Sequence, residues 1–583
     1  MATIQFLLSE KLERAILLFF PAFPVGTVEL VQSTQEQFGH YQCNSCLKIA
    51  KELKKNPKEV AAFVVENLQK DADFSLFFSK VEVAGPGFIN LTCSTSFISQ
   101  RVNFLLTDPF LGVSRPEAPE KIIVEFSSPN VAKELHVGHL RSTIIGDCLA
   151  RIFAFLGMDV LRLNHIGDWG TQFGMLISFL KNYHSGVLLG TESTDLQHLM
   201  QWYKESKRKF DEDPQFKKQS QLEVVKLQGG DVESLAAWRM ICQISRIAFQ
   251  EIYDLLDVKI EERGESFYNP FLADVVADLE KKGLITISEG AKCVFLPGIK
   301  GRDGEPLPMI IQKSDGGFNY ETTDMAALRH RIDVEKASRI IILTDAGQAL
   351  HFQMVFETAQ KAGYYDPQKT RLDHVTFGVV LGPDGKKFKT RSGETEKLID
   401  LLQEAVDRSM VILEERLPDA SLEEKKQVSR ALGIGAVKYA DLSGNRIKDY
   451  IFSYEKMLKF EGNTAAFLLY AFVRIQGIKR KGNCDIGKLI QESVITLSHD
   501  SEVSLGVHLC QFEEILQLVA RDLLPNRLAD YLYVLAEKFN VFYRDCRVEG
   551  SLEEKSRLLL CEAAGLVLKK GLELLGLKTV ERM

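Results

Sequence analysis

Residues 121 to 170 read as strand, helix, strand, and nothing else in the chain limits its fold as strongly. "KIIVEFSS", from Lys121, is a short continuous apolar run, the pattern of a parallel strand buried on both faces. In "LRSTIIGDCLARIFAFLG", residues Leu140, Ile144, Ile145, Leu149, Ile152, Phe153 and Leu156 recur at helical spacing, and Gly157 is the stop. "DVLRLNHIGDWG" supplies the second strand. The βαβ unit predicts a doubly wound α/β domain.

A chain of 583 residues is too long for one core, so further domains are expected on either side. Residues 1–107 read as a separate α+β unit, with helical patterns near Glu10–Phe20 and Asn44–Lys54 and a strand pair in "KVEVAGPGFINLTC". Residues 108–120 hold three prolines and read as a linker. The α/β domain spans 121–400, with a charge-rich helical insertion at about 176–265; strand-like runs return at "CVFLPG", "PMIIQKS", "RIIILTDAG" and "HVTFGVVLG". Beyond 400 nearly everything reads as amphipathic helix, a connecting region over 401–455 and an all-α domain over 456–583. Its clearest helices are 527–545, with Leu528, Leu532, Leu535, Phe539 and Phe542, and 555–576.

Composition narrows the setting. No apolar run reaches the length of a membrane span, and the N-terminus places acids inside its apolar pattern, as an amphipathic helix does and a signal peptide does not. Ten cysteines are scattered, and only Cys43 and Cys46 form a C-x-x-C pair. With no second pair a structural zinc is not expected, and the pair lacks the βαβ context of a redox site. The cysteines fit a reducing cytoplasm. A net charge of −7 neither points to nucleic acid nor excludes it, because local patches decide.

Two of the chain's 11 histidines, His136 and His139, flank a glycine where the first strand gives way to the helix. In an open parallel sheet, ligands bind at the carboxyl ends of strands. No conventional cap residue precedes this helix, so its free N–H groups and positive dipole end suit a phosphate. Gly138 removes a side chain where backbone and ligand approach, and the imidazoles can donate to phosphate oxygens. Half a metal site is the alternative, with the other ligands missing nearby.

"HVGH" with its strand and helix resembles the first signature of class I aminoacyl-tRNA synthetases. "EFSSPNVAKELHVGHLRSTIIGD", "NHIGDWGTQFGMLI", "SDGGFNYETTDMAAL" and "SGNRIKDYIFSYEKMLKFEGNTAAFLLYA" are similar to the arginyl-tRNA synthetase family, in its order, and "FGHYQCNSCLKIAK" and "VERM" extend the likeness to both ends. The resemblance implies a Rossmann-type catalytic domain, an α+β N-terminal domain that contacts the tRNA elbow and an all-α anticodon-binding domain. It also implies ligation of L-arginine to tRNA(Arg) with ATP, through arginyl-adenylate, by a cytoplasmic monomer.

The resemblance implies these site residues. His136 and His139 contact the phosphates of ATP, which brings Mg2+ with it, and no protein side chain holds a metal. The second class I signature is absent as such; "GPDGKKFKTRSG" stands in its place, with Lys386, Lys387, Lys389 and Arg391 forming a basic clamp loop. Lys133 and Lys389 act as a pair. Glu125, Tyr320 and Asp324 match the arginine side-chain pocket, as carboxylates suit a guanidinium fork. Tyr320 and Asp324 share a face if a helix begins there. Asn130 and Gln348 match the positions that hold the amino acid's backbone end. His165, Asp168, Trp169 and Gln172 border the nucleotide or the acceptor end, without individual roles. For tRNA, the candidates are Phe38, Tyr41 and Gln42 near the elbow, with core packing as their alternative, and Phe467, Tyr470, Arg474 and Met583 near the anticodon, with Lys479, Arg480 and Lys481 close by. The family often has tyrosine where this chain has Phe467. A nucleotidyltransferase that uses no tRNA is disfavoured by the C-terminal helical domain, and an inactive paralogue by the intact His136, His139 and Asp324.

Overall fold

The computed structural model describes residues 2–301, 304–382, 384–386, 397–482 and 485–583. Lys387, Lys389 and Arg391 lie outside the described residues. The chain divides into two compact units, one formed by Glu117–Leu458 and the other by Met1–Pro116 together with Lys459–Met583.

In the Glu117–Leu458 unit, five strands make one parallel sheet. Across the sheet they run Arg371–Phe377, Arg339–Asp345, Lys121–Glu125, Asp159–Asn164 and Glu261–Glu262. The chain therefore starts in the middle, winds outward to one edge, then crosses back to build the other. That reversal falls between Lys121–Glu125 and Arg339–Asp345, and the crevice at their carboxyl ends is where such sheets take ligands. The central strand has Ile122, Ile123 and Val124 fully buried. The apolar runs around 293–311 form a separate three-stranded antiparallel sheet of Thr286–Ser288, Ala291–Lys300 and Pro306–Gln312. The helical insertion is Thr171–Tyr183, Leu196–Glu212, Pro214–Gln228 and Val232–Leu255 around its own core of Phe173, Leu199, Trp202, Phe216 and Ile241.

The other unit departs from the sequence reading, which treats its two segments as separate domains. The N-terminal four-stranded sheet and its helices share a core with the C-terminal helices. A Cβ on Gly506, in the helix Asp500–Cys510, would fall 3.1 Å from Ile98 of the helix Thr95–Thr107. Asn103 exchanges two hydrogen bonds with the Ile495 backbone. The apolar stripe of Thr95–Thr107 gives no hint of a partner so far along the chain, which is why the linker reading stopped short of it.

Candidate active site

The central strand ends at Glu125, and the chain then passes through "FSSPNVAKEL" into the helix Val137–Phe155. His136 is the N-cap of this helix. Its Nδ1 accepts the Gly138 N–H at 3.0 Å, and His139 Nδ1 accepts the His136 N–H at 3.1 Å. This is a capping box built from two imidazoles. It corrects the expectation of an uncapped helix: an imidazole nitrogen without a proton serves as acceptor as a Ser or Asp oxygen does. Gly138 is needed first for the His136 ring, since a Cβ there would lie 2.8 Å from Cε1.

With both Nδ1 atoms accepting, each ring keeps its proton on Nε2 and offers it as a donor. Burial, then Lys133, lowers the pKa of His136. Burial, then His136 and Lys133, brings His139 down to about 3. Both are neutral at pH 7, and their ring centroids are 4.1 Å apart. After the clamp-loop stretch the chain returns at this point. Lys397 forms a backbone bridge to His136, Leu398 N–H donates to Leu135 O at 3.0 Å, and Lys397 Nζ pairs with Glu134 at 2.7 Å. On the near side Lys386 closes a tight turn, its carbonyl accepting from Gly382 N–H at 2.8 Å.

The acidic side of the site is richer than the sequence suggested. Tyr320 and Asp324 lie in the first turns of the helix Tyr320–Asp333, which meets the condition for the two to share a face. Asp324 Oδ2 is 2.6 Å from His351 Nε2, and its Oδ1 is 3.8 Å from His165 Nε2. The Tyr320 ring is 5.0 Å from the His351 ring, and Tyr320 is 55% exposed, open to a ligand. Glu125 behaves differently. Its Oε2 is 2.6 Å from Nη1 of the chain's own Arg331, and both residues are buried. A buried acid at a strand end needs a cation, and the fold supplies one. Any hold of Glu125 on a second guanidinium rests on its other oxygen. Arg331 Nε and Nη2 have no hydrogen-bond partner among the described residues.

Glu265 was not singled out from sequence. Burial, with Asp324 and Asp168 nearby, pushes its carboxyl up to about 8. The only signal in the sequence was an acid after Gly264, too common a pattern to use. Asp168, buried, anchors that segment by accepting from Ser266 N–H at 2.8 Å and Ser266 Oγ at 2.6 Å. "NHIGDWG" thus becomes explicable: His165 faces Asp324, Asp168 pins the Glu265 turn, and Trp169 packs edge-on against Trp238 at 5.8 Å. Gly167 lies under Asn130, where a Cβ would strike Asn130 Oδ1 at 2.1 Å. Gln348 is exposed in the turn after Arg339–Asp345, at the sheet's reversal point.

The tRNA candidates belong to the other unit. Tyr41 is fully buried, and its hydroxyl donates to Glu514 at 2.8 Å. Of the two readings of Tyr41, tRNA surface and core packing, its burial gives the second: alternation along a strand points it into the core shared with the C-terminal helices. Gln42 is half-buried and donates to Asn90 at 2.9 Å, while Phe38 is exposed. On the helix Ala465–Lys481, Tyr470 is exposed with the Arg474 guanidinium 5.1 Å from its ring centre, and Phe467 lies 5.5 Å from Tyr533. Lys479 pairs with Glu562 and Arg480 with Glu581. Met583 is half-buried. Cys43 and Cys46 are buried, and burial pushes the Cys46 thiol up to about 12, the opposite of a reactive pair.

Three family models cover nearly the whole chain. One described as tRNA synthetases class I (R), catalytic domain, matches residues 102–454. A DALR anticodon binding domain matches 468–583, and an arginyl tRNA synthetase N terminal domain matches 2–93. The curated arginine–tRNA ligase of Protochlamydia amoebophila is 60% identical over 555 residues, 95% of this chain and 94% of that one. The one from Chlamydia felis is 51% identical over 100% of both chains. The solved arginyl-tRNA synthetase of Plasmodium falciparum superposes with a TM-score of 0.87 at 33% identity, covering 100% of each chain. That of Thermus thermophilus shares the fold at a TM-score of 0.80 and 23% identity, covering 99% of this chain and 100% of the other.

Proposed function

The chain belongs to the class I arginyl-tRNA synthetases, and on that footing we propose that it joins L-arginine to tRNA(Arg) with ATP for protein synthesis. The arginine carboxylate oxygen attacks the α-phosphorus of ATP, the bond to the bridging oxygen breaks, and diphosphate leaves. A terminal ribose hydroxyl of tRNA then attacks the adenylate carbonyl, and AMP departs. The observation that carries this reading is the pairing, at one sheet crevice, of two neutral imidazole donors with the acids around Asp324.

Each group has a part. Nε2–H of His136 and His139 donates to phosphate oxygens as charge moves onto the leaving diphosphate, and Lys133 adds positive potential there. Lys389, with Lys386, Lys387 and Arg391, clamps the diphosphate from the loop that ends beside His136. Asp324 and Glu265 take the guanidinium, with Tyr320 across it and Glu125 reaching it through its free oxygen. Asn130 and Gln348 hold the α-amino and carboxylate end. Lysine, with one compact charge and no planar fork, cannot satisfy such acids equally. Mg2+ would come with ATP and supply charge neutralisation at the phosphates; the imidazoles and lysines at the phosphate end offer donors rather than oxygen ligands, so no protein side chain is assigned to hold it.

Residues 1–107, with Phe38 and Gln42, meet the tRNA elbow. The C-terminal helices, with Phe467, Tyr470, Arg474 and Met583, meet the anticodon, where aromatic and guanidinium faces stack on splayed bases. The reading extends to a cytoplasmic monomer.

Arginine-dependent exchange of pyrophosphate into ATP, with and without tRNA(Arg), is the test. Exchange with arginine and not lysine is expected. Exchange seen only with tRNA adds that tRNA completes the site. No exchange in either condition, with tRNA still bound, overturns the enzymatic reading.

A further inference from the structure

Between Glu125 and the paired histidines the backbone enters the left-handed region at three residues that are not glycine: Ser127 at φ 66°, Ser128 at 48° and Ala132 at 59°. Such values persist only where surrounding structure imposes them. Here the imposing groups come from three places: Ser142 Oγ of the helix Val137–Phe155 accepts the Ser127 N–H at 3.0 Å, Asn164 stands at the end of the neighbouring strand, and Tyr253 and Ser245 belong to the helical insertion, more than a hundred residues later in the chain. The Tyr253 hydroxyl accepts from Asn164 Nδ2 at 3.1 Å and shares a hydrogen bond with Ser127 Oγ at 2.7 Å. Asn164 Oδ1 in turn accepts the Ser128 N–H at 2.9 Å. Ser245 Oγ accepts the Ala132 N–H at 3.0 Å and donates to Ile241 O at 3.1 Å. Tyr253 and Ser245 both stand on Val232–Leu255, the last helix of the insertion. Ser127, Asn164, Tyr253 and Ser245 are all buried, so water cannot replace a lost partner cheaply.

We propose that Tyr253 and Ser245 are positioning residues through which the insertion holds the 127–132 turn in its strained form. Relaxed, the turn would swing Asn130 away from the amino-acid end of the site and shift the entry to His136. The inference rests on the reading of Asn130 and His136 given above. It assigns the insertion a part in arginine binding that acts through the turn, to which both side chains hydrogen-bond.

The test uses the full chain with tRNA and the pyrophosphate exchange assay. Tyr253→Phe keeps the ring and removes the hydroxyl, and Ser245→Ala removes the other support. Each is expected to raise the KM for arginine roughly tenfold with a smaller change in kcat. Glycine accepts a positive φ without strain, so Ser128→Gly should restore much of the loss in Tyr253→Phe, and Ala132→Gly in Ser245→Ala. Lys336→Gly, at another left-handed position with φ 57°, should restore neither. A merely structural role predicts lower thermal stability with an unchanged KM. That outcome, or a KM loss that no glycine in the turn repairs, or equal repair by Lys336→Gly, overturns the proposal. Because the wild-type chain is assayed alongside, absent exchange in every sample would instead count against the enzymatic reading itself.

Discussion

Glu265 is half-buried among acids rather than cations, and its carboxyl is pushed up to about 8 by burial and by Asp324 and Asp168. Near pH 7 it therefore holds a proton. A guanidinium entering the crevice favours the ionised form and drives that proton off. Arginine affinity should rise as pH climbs from about 6.5 to 8.5, with net proton release on binding below the free-state value. For stability the direction is opposite. Over the window from 4.5 to about 8 the folded chain binds more protons at this group than the unfolded chain does, so its contribution falls as pH rises. Titration calorimetry in two buffers of different ionisation enthalpy measures the proton release directly. Glu265→Gln should abolish most of it and flatten the pH dependence; release that survives the substitution would place the proton elsewhere. The sequence offered no route to this residue. The elevation comes from burial and from three acids brought together from three separate stretches, and that convergence is a property of the fold.

The helix Val137–Phe155 shows how one element serves stability and chemistry at once. His136 accepts a backbone N–H through Nδ1 and presents Nε2–H outward, so the two tasks fall on opposite sides of one ring. They can be separated. Asparagine is among the best N-cap residues, so His136→Asn should leave thermal unfolding nearly unchanged while exchange drops about 10²-fold, the scale of one lost donor to developing charge. His136→Ala should lose the donor and about 1 kcal/mol of cap as well. Thermal melts and exchange rates on the two variants decide it; equal melting losses would mean that the ring does not cap. The strand, the helix and their order were legible from apolar spacing alone, whereas the helix that begins at Tyr320 entered only as the condition for Tyr320 and Asp324 to share a face. The cap was not legible, because histidine is rarely read as an acceptor and only backbone geometry shows which nitrogen is used. Nor was the partner of Glu125. The need for a cation followed from burial at a strand end, but that Arg331 rather than substrate meets it depends on which face of Tyr320–Asp333 turns inward.

At the scale of the whole molecule, the first 116 residues and the last 125 or so fold as one unit, with the catalytic unit entered at Glu117 and left at Leu458. Glu514 ties the two segments together. Its carboxylate, buried, accepts from the Tyr41 hydroxyl at 2.8 Å, Gln32 Nε2 at 2.8 Å and the Gln5 N–H at 2.9 Å. Three donors from the N-terminal segment thus converge on one acid of a C-terminal helix. Burial already holds that acid above its ordinary pKa, so each donor lost raises the cost of its charge. Tyr41→Phe removes one donor and little volume, and should cost about 1–3 kcal/mol of stability. If Tyr41 acts only in this way, tRNA affinity stays at the wild-type level wherever the variant is folded. Tyr470→Ala is the complement: an exposed ring beside Arg474, it should leave stability nearly untouched while weakening tRNA(Arg) binding about tenfold, as expected for one lost stacking partner. Denaturant unfolding and tRNA binding measured on both variants form a crossed pair. A tRNA defect in Tyr41→Phe at full folding would return that residue to the binding surface, against its burial. A stability loss in Tyr470→Ala without a binding change would mean the aromatic platform belongs to the helix packing rather than to the anticodon.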